Sequence, residues 1–408
     1  MNDPALESRQ LAALVGHPRG GRAESVRRVL ALLAGSRGPL VEPIPGNRDE
    51  ALVTFVWQAP GPVRGPSVFS PVLDFVHGET QLRPLARTGL WHRTFRFSRR
   101  IRASYGYSPR PMPPADAVGP VWGRYMQSLK SDPLNPKRIR FGPALHLSLL
   151  ELPAAPAEPW SRSEEPSRWS EARTELHSRR LGNTRTLWIY RPPSFERTSR
   201  RMHLVILFDA APYRDPIPAP RMVENLVDAG RIGPTALVLV DNAPGARERD
   251  LLLNPKFPDF LARELLPLLR KNYGIVSAPE RTVVAGSSFG AVAAAYAALR
   301  YPRRFGNVLA QSGSFSMVPP LGKDAPPTLM QQFAHAPLLP IHFYLDAGTR
   351  EGFVLPGSTT SLLESVRHLR DVLEAKGYSV KYAEFEGGHD YACWRGTLAE
   401  GLVRLIGG

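Results

Sequence analysis

The sequence predicts an α/β protein: a mainly parallel sheet with helices on both faces, preceded by a small β-sandwich. Three observations carry this. From about residue 183 onward, short apolar runs alternate with segments of helical period, the way strands buried on both faces read. Between about 50 and 150, runs alternate apolar with polar residues, and Pro and Gly fall at turn spacing. Between the two regions lies a stretch rich in Pro, Ser, Glu and Arg.

Residues 1–45 read as an Arg-rich leader, helical or disordered, with one helix expected around Glu24–Leu33. In residues 46–152, Leu52–Trp57 and Leu90–Phe97 have the period-2 pattern of half-buried strands and give the sandwich. Residues 153–180 read as a linker. In residues 181–408, strands are expected at Thr186–Tyr190, Leu204–Phe208, Ala236–Val240, Thr282–Ala285, Asn307–Gln311, Ile341–Leu345 and Val380–Phe385. Helices are expected at Arg221–Ala229, Phe257–Tyr273, Phe289–Leu299, Thr360–Lys376 and Arg395–Ile406. There is no internal repeat.

Over 408 residues, 43% are hydrophobic and 22% charged, which excludes a disordered or fibrous chain. No apolar run reaches the ~18 residues of a membrane helix, and Met1-Asn2-Asp3-Pro4 lacks the basic start of a signal peptide. One cysteine, Cys393, excludes an internal disulfide framework and a multi-cysteine metal site. A cytoplasmic protein with no membrane partner is expected. The formal charge is +15, and residues 1–200 hold 30 Lys/Arg against 17 Asp/Glu, whereas 201–408 hold 22 against 20. An anionic small molecule fits this excess, as does a plain bias toward arginine, with 45 Arg to 7 Lys. Nucleic acid does not, because no helix carries a dense basic stripe with aromatic spacing. The oligomeric state is not legible.

The chemistry sits where Thr282–Ala285 runs into Gly286-Ser287-Ser288-Phe289-Gly290 and the Ala-rich helix beyond. This is G-x-S-x-G between strand and helix. The turn is so tight that its serine is strained and its flanks have no room for side chains. Ser288 is the candidate nucleophile, and the Phe289 amide points to where negative charge forms. A hydroxyl needs a base, expected after a carboxylate in chain order. His389 fits, in the glycine loop Glu386-Gly387-Gly388-His389-Asp390 between the last strand and the last helix. The acid follows the preceding strand: Glu351 in a G-x-x-E loop is favoured, and Asp346 at the strand end is the alternative. Asp390 is expected to organise the loop. A second oxyanion amide is expected from Ala210 or Ala211, since Pro212 has no N–H.

The runs Arg281–Gly290 and Leu299–Phe315 resemble the enterochelin (ferric enterobactin) esterases, esterase-D-like α/β hydrolases. So do Gly387–Gly396, Arg247–Leu251 with Asn254 and Phe257, Val53–Trp57 and Ser131–Pro136. The resemblance spans roughly residues 50–405 and implies an α/β-hydrolase fold. It implies a serine esterase that cuts the trilactone backbone of a ferric catecholate siderophore inside the cell, with no cofactor and no metal of its own. Residue by residue, Ser288, His389 and Glu351 take the catalytic positions, and Arg247, Asn254 and Trp394 those of substrate contacts. Two departures are visible: Ala291 follows the elbow where the family has glycine, and Ser316 and Met317 stand where it carries tryptophans. A general carboxylesterase and a non-catalytic siderophore-binding protein are the alternatives.

Overall fold

The computed structural model describes residues 7–15, 21–73, 79–86, 88–114, 117, 119–142, 144–162, 165–195, 202–317, 327–355, 358 and 360–407. The chain divides into two compact units. One is Met1–Pro156 with Glu386–Ala392, and the other is Ala157–Phe385 with Cys393–Gly408.

The first unit contains α1 (Arg9–Val15), α2 (Arg22–Ser36), β1 (Leu40–Ile44), β2 (Asn47–Trp57), β3 (Ser67–Phe69), β4 (Arg83–Leu85), β5 (Leu90–Ser98), β6 (Arg102–Ser108), α3 (Gly119–Ser128), β7 (Arg138–Arg140) and β8 (His146–Glu151). Its strands form two antiparallel sheets, ordered β1-β2-β5-β4 and β3-β6-β8-β7. Alternation in β2 sends Val53, Phe55 and Trp57 inward against Ala103, Tyr105 and Tyr107 of β6. Phe55 meets Tyr105 edge-on at 5.1 Å, and Trp57 stacks on Tyr107 at 5.8 Å. On the other side of the first sheet, Val56, Leu85 and Leu90 pack against Leu11, Val29 and Leu33. The expected helix at Glu24–Leu33 lies within α2, and the segment read as a leader is built into this unit through its apolar face. Residues 1–6 and 16–20 of it lie outside the described residues.

The second unit contains β9 (Ser170–Ser178), β10 (Asn183–Arg191), β11 (His203–Phe208), α4 (Ala210–Arg214), α5 (Ala219–Asp228), β12 (Thr235–Val240), α6 (Arg247–Leu251), α7 (Lys256–Phe260), α8 (Leu266–Tyr273), β13 (Thr282–Ser287), α9 (Phe289–Arg300), β14 (Asn307–Gln311), α10 (Leu329–His335), β15 (His342–Gly348), α11 (Leu362–Ala375), β16 (Ser379–Phe385) and, from Cys393 onward, α12 (Tyr391–Ile406). A π turn, Leu261–Leu265, joins α7 to α8. The eight-stranded sheet runs β16-β15-β14-β13-β11-β12-β10-β9. The six strands from β16 to β12 are parallel, and β10 and β9 antiparallel. Leu204, Ile206 and Phe208 of β11 face a core shared with α7–α11. The opposite face carries α12, where a β carbon on Gly401 would lie 2.8 Å from Leu309 and Tyr344.

All seven expected strands are present. The segment read as a linker supplies β9, an edge strand whose residues are mostly exposed or half-exposed, so it shows no apolar run. Among the described residues no helix is long and apolar enough to cross a membrane.

Candidate active site

The second unit builds its site at the carboxyl ends of β11, β13, β14 and β15, where a parallel sheet opens. Strand β13 delivers Ser288 as the cap of α9, with φ 57° and ψ −119°, a backbone state that side-chain-bearing residues rarely adopt. Its amide donates to the Gln311 carbonyl at 2.9 Å. The flanking glycines have steric causes. A β carbon on Gly286 would lie 2.6 Å from the Gly290 carbonyl carbon, and one on Gly290 would lie 3.2 Å from Asp209 Oδ2. At Gly286 the turn can close only without that atom; at Gly290 the Asp209 carboxylate would have to give way slightly. Phe289 opens α9, so its N–H belongs to the first turn, whose amides have no partner within the helix.

Next to β13, strand β11 ends at Asp209, also left-handed (φ 60°), and α4 begins at once with Ala210, buried, and Ala211, exposed. The Asp209 carboxylate accepts two parallel bonds from Arg247, Nε at 2.7 Å and Nη2 at 2.8 Å, and one from Asn242. The Arg247 guanidinium also lies 5.2 Å from the centre of the Phe289 ring. Asp209, Arg247, Phe289 and Gly290 thus form one contiguous cluster around the elbow. Asp209 was missed in the sequence; its signal is a charge closing the apolar strand Leu204–Phe208.

Both candidate acids are wholly buried. Asp346 lies within β15, in register with Gln311 on β14. Burial pushes its carboxyl up to about 8, helped by the nearby charge of Glu351 and opposed by Thr397. Glu351 lies in the loop after β15, its amide bonded to the Gly348 carbonyl and its carbonyl to the Leu363 amide.

Asn254 is half-buried, and its side-chain oxygen accepts the Lys256 amide at 3.0 Å, organising the start of α7. Trp394 is 4% exposed, and its indole donates to Ser312 Oγ at 2.8 Å. The resemblance gives both residues substrate contacts. The Ser316 amide donates a hydrogen bond to Ser365 Oγ at 2.9 Å.

His389 belongs to the segment Glu386–Ala392, which packs in the first unit. Both its neighbours are anchored there. A β carbon on Gly388 would lie 2.3 Å from the Pro71 carbonyl oxygen. Asp390, 1% exposed, accepts the Ser104 and Ala392 amides, so it organises the loop as expected.

A family model described as "Putative esterase" matches residues 178–405, and one described as "Enterochelin esterase, N-terminal" matches residues 52–161. The chain belongs to the enterochelin esterase family. As a member of it, the chain is similar to the iron(III) salmochelin esterase of Escherichia coli strain CFT073, 30% identical over 90% of this chain and 91% of that one. The ferric enterobactin esterase of Salmonella typhimurium superposes with a TM-score of 0.75 at 29% identity, over 90% of this chain and 96% of that one. The enterobactin esterase of Shigella flexneri, solved in the presence of enterobactin, gives 0.73 at 27% identity over 90% and 96%. This enterochelin esterase family member therefore has an α/β-hydrolase fold preceded by the family's N-terminal domain, and it is a hydrolase of ester bonds.

Proposed function

We propose that this protein is a serine esterase that hydrolyses the ester backbone of an iron-loaded catecholate siderophore of the enterobactin type and so frees the metal. The observation that carries the reading is Ser288, left-handed at the end of a central parallel strand and set between Gly286, where backbone leaves no room for a side chain, and Gly290, where one would press on Asp209. Relatives spanning nine-tenths of the chain bear the names of enterobactin and salmochelin esterases, which supports the substrate class.

In this mechanism Ser288 Oγ attacks an ester carbonyl while the His389 imidazole takes its proton. The oxyanion is held by the Phe289 amide together with that of Ala210 or Ala211. The C–O bond breaks, His389 returns the proton to the departing alcohol, and water repeats the cycle on the acyl-serine. Glu351 orients the imidazole. Its rival Asp346, held largely protonated at neutral pH by burial, is a poor partner for an imidazolium. Iron arrives and leaves with the substrate. A ferric tris-catecholate is an anion with aromatic faces, suited to the arginine-rich first 200 residues. The setting is the cytoplasm, in keeping with one buried free thiol, Cys393.

The test is mass spectrometry of products from ferric enterobactin with the wild type and with Ser288→Ala. The wild type yields ester-cleaved fragments; Ser288→Ala yields none yet still binds the ferric complex. Turnover by Ser288→Ala overturns the mechanism. A second reading, a general carboxylesterase, is favoured by Ser316 and Met317 at the family's tryptophan positions. It predicts a higher kcat/KM for short aryl esters than for the ferric trilactone.

A further inference from the structure

We infer that Gln311 is a positioning residue that sets the elbow, the oxyanion-side helix and the helix after the histidine loop against one another; this rests on the reading above. Gln311 ends β14, is fully buried, and lies in register between Ser287 of β13 and Asp346 of β15. It has three arms. Its main-chain carbonyl accepts the Ser288 amide at 2.9 Å, bracing the strained residue directly. Its side-chain oxygen accepts the hydroxyl of Tyr213 at 2.8 Å, and Tyr213 lies in α4, the five-residue helix that opens with Ala210 and Ala211. Its side-chain nitrogen donates to the Trp394 carbonyl at 3.0 Å and to Thr397 Oγ1 at 2.6 Å, both on α12, the helix that follows the His389 loop in the chain.

The residue type is dictated by this pattern. The site needs two donors and an acceptor on one planar group at this reach. Glutamine supplies them, glutamate when ionised supplies acceptors only, and asparagine is one methylene shorter. The amide orientation is also determined: turned over, its oxygen would face the Trp394 carbonyl, acceptor against acceptor. Every polar atom of the side chain is used, and losing that side chain removes one bond to α4 and two to α12 at once. None of these bonds touches substrate. Their effect is to hold α4 and α12 at fixed distances from Ser288 through one side chain, where a shift of about 1 Å can cost 10²-fold in rate.

The test uses the whole chain, with Gln311→Met and Tyr213→Phe. Three quantities are read: the rate of Ser288 labelling by a fluorophosphonate, kcat per titrated active site on a neutral aryl acetate, and KM. Gln311→Met is expected to lower the labelling rate and kcat roughly 30- to 100-fold with KM within about threefold. Tyr213→Phe, which removes one oxygen, is expected to lose about 5-fold, and to cost nothing further in the Gln311→Met background. A purely structural role would reduce the fraction of titratable sites and leave kcat per site at the wild-type value in both variants; that result overturns the inference. A wild type that is neither labelled nor active overturns the serine-esterase reading and the inference with it. An active, labelled wild type with unchanged variants overturns the inference alone.

Discussion

Arg247 clasps Asp209 through two parallel bonds of 2.7 and 2.8 Å, and Asp209 is the left-handed residue immediately before Ala210. The guanidinium thus holds the geometry of the turn that opens α4. Lysine offers a single point charge and cannot reproduce the fork. Arg247→Lys is therefore expected to lower kcat on a small neutral ester by about 10-fold, or ~1.4 kcal/mol of barrier. Were Arg247 only a contact for an anionic substrate, KM for the ferric siderophore would rise and the neutral ester would be untouched. Steady-state kinetics on the two substrates distinguishes these outcomes.

The two elbow glycines should respond differently to alanine. At Gly286 the new carbon would sit 2.6 Å from backbone, which cannot move without opening the turn. At Gly290 it would meet the Asp209 carboxylate at 3.2 Å, a side chain that can give slightly. Gly286→Ala is expected to abolish labelling of Ser288 and to destabilise by about 2 kcal/mol or more. Gly290→Ala should remain folded, with a loss in kcat that is reduced in an Arg247→Lys background, where Asp209 is looser. Equal effects of the two substitutions on the melting temperature would contradict this account.

Asp346 predicts a pH dependence with a definite sign. Its carboxyl is raised from 3.8 to about 8 by burial, with Glu351 and Glu400 as nearby like charges and Thr397 and the Ser312 amide opposing. The folded state therefore holds a proton that the unfolded state releases above about pH 4, so this group's contribution to stability falls as pH rises from ~4 to ~8. Asp346→Asn removes that slope. Denaturant midpoints should match wild type near pH 4 and exceed it at pH 8. A variant no more stable than wild type at pH 8 would refute the argument.

A buried ion pair steadies α6, the helix that begins with Arg247. Arg185 Nη2 meets Asp250 Oδ2 at 2.6 Å, both side chains 1% exposed, and the guanidinium lies over Phe257 and Phe260 at 5.5 and 5.2 Å. Asp250→Ala strands a cation in the core and should cost about 3–5 kcal/mol in chemical denaturation. The double variant Arg185→Met with Asp250→Ala, which carries no buried charge there, should recover much of that loss. Additive losses would argue against coupling of the pair.

The parallel sheet was legible because its strands are apolar on both faces, as in Leu204–Phe208, and its helices are long enough to show their period. The elbow was legible because sterics force glycine at 286 and favour it at 290. Three things were hidden for physical reasons. Strand β9 alternates among Glu171, Arg173, Glu175 and His177, since an edge in water needs no apolar run. Helices α4 and α6 have five residues each, too few for a periodic signal, and are held by Tyr213–Gln311 and Arg185–Asp250 instead. The side-chain bonds of Gln311 join residues 83 to 98 positions apart, so no local pattern could reveal them.

The chain leaves the second unit at Phe385, spends seven residues in the first, and returns at Cys393. Those seven carry His389, flanked by Gly388 against Pro71 and by Asp390 on the Ser104 amide. A hydrolase fragment cut at residue 157 would retain the imidazole and lose the scaffold of its loop. Trading the amino-terminal sandwich for another would therefore replace the backbone at Pro71 and Ser104 on which the two neighbours of His389 rest, so a graft must carry that seam with it.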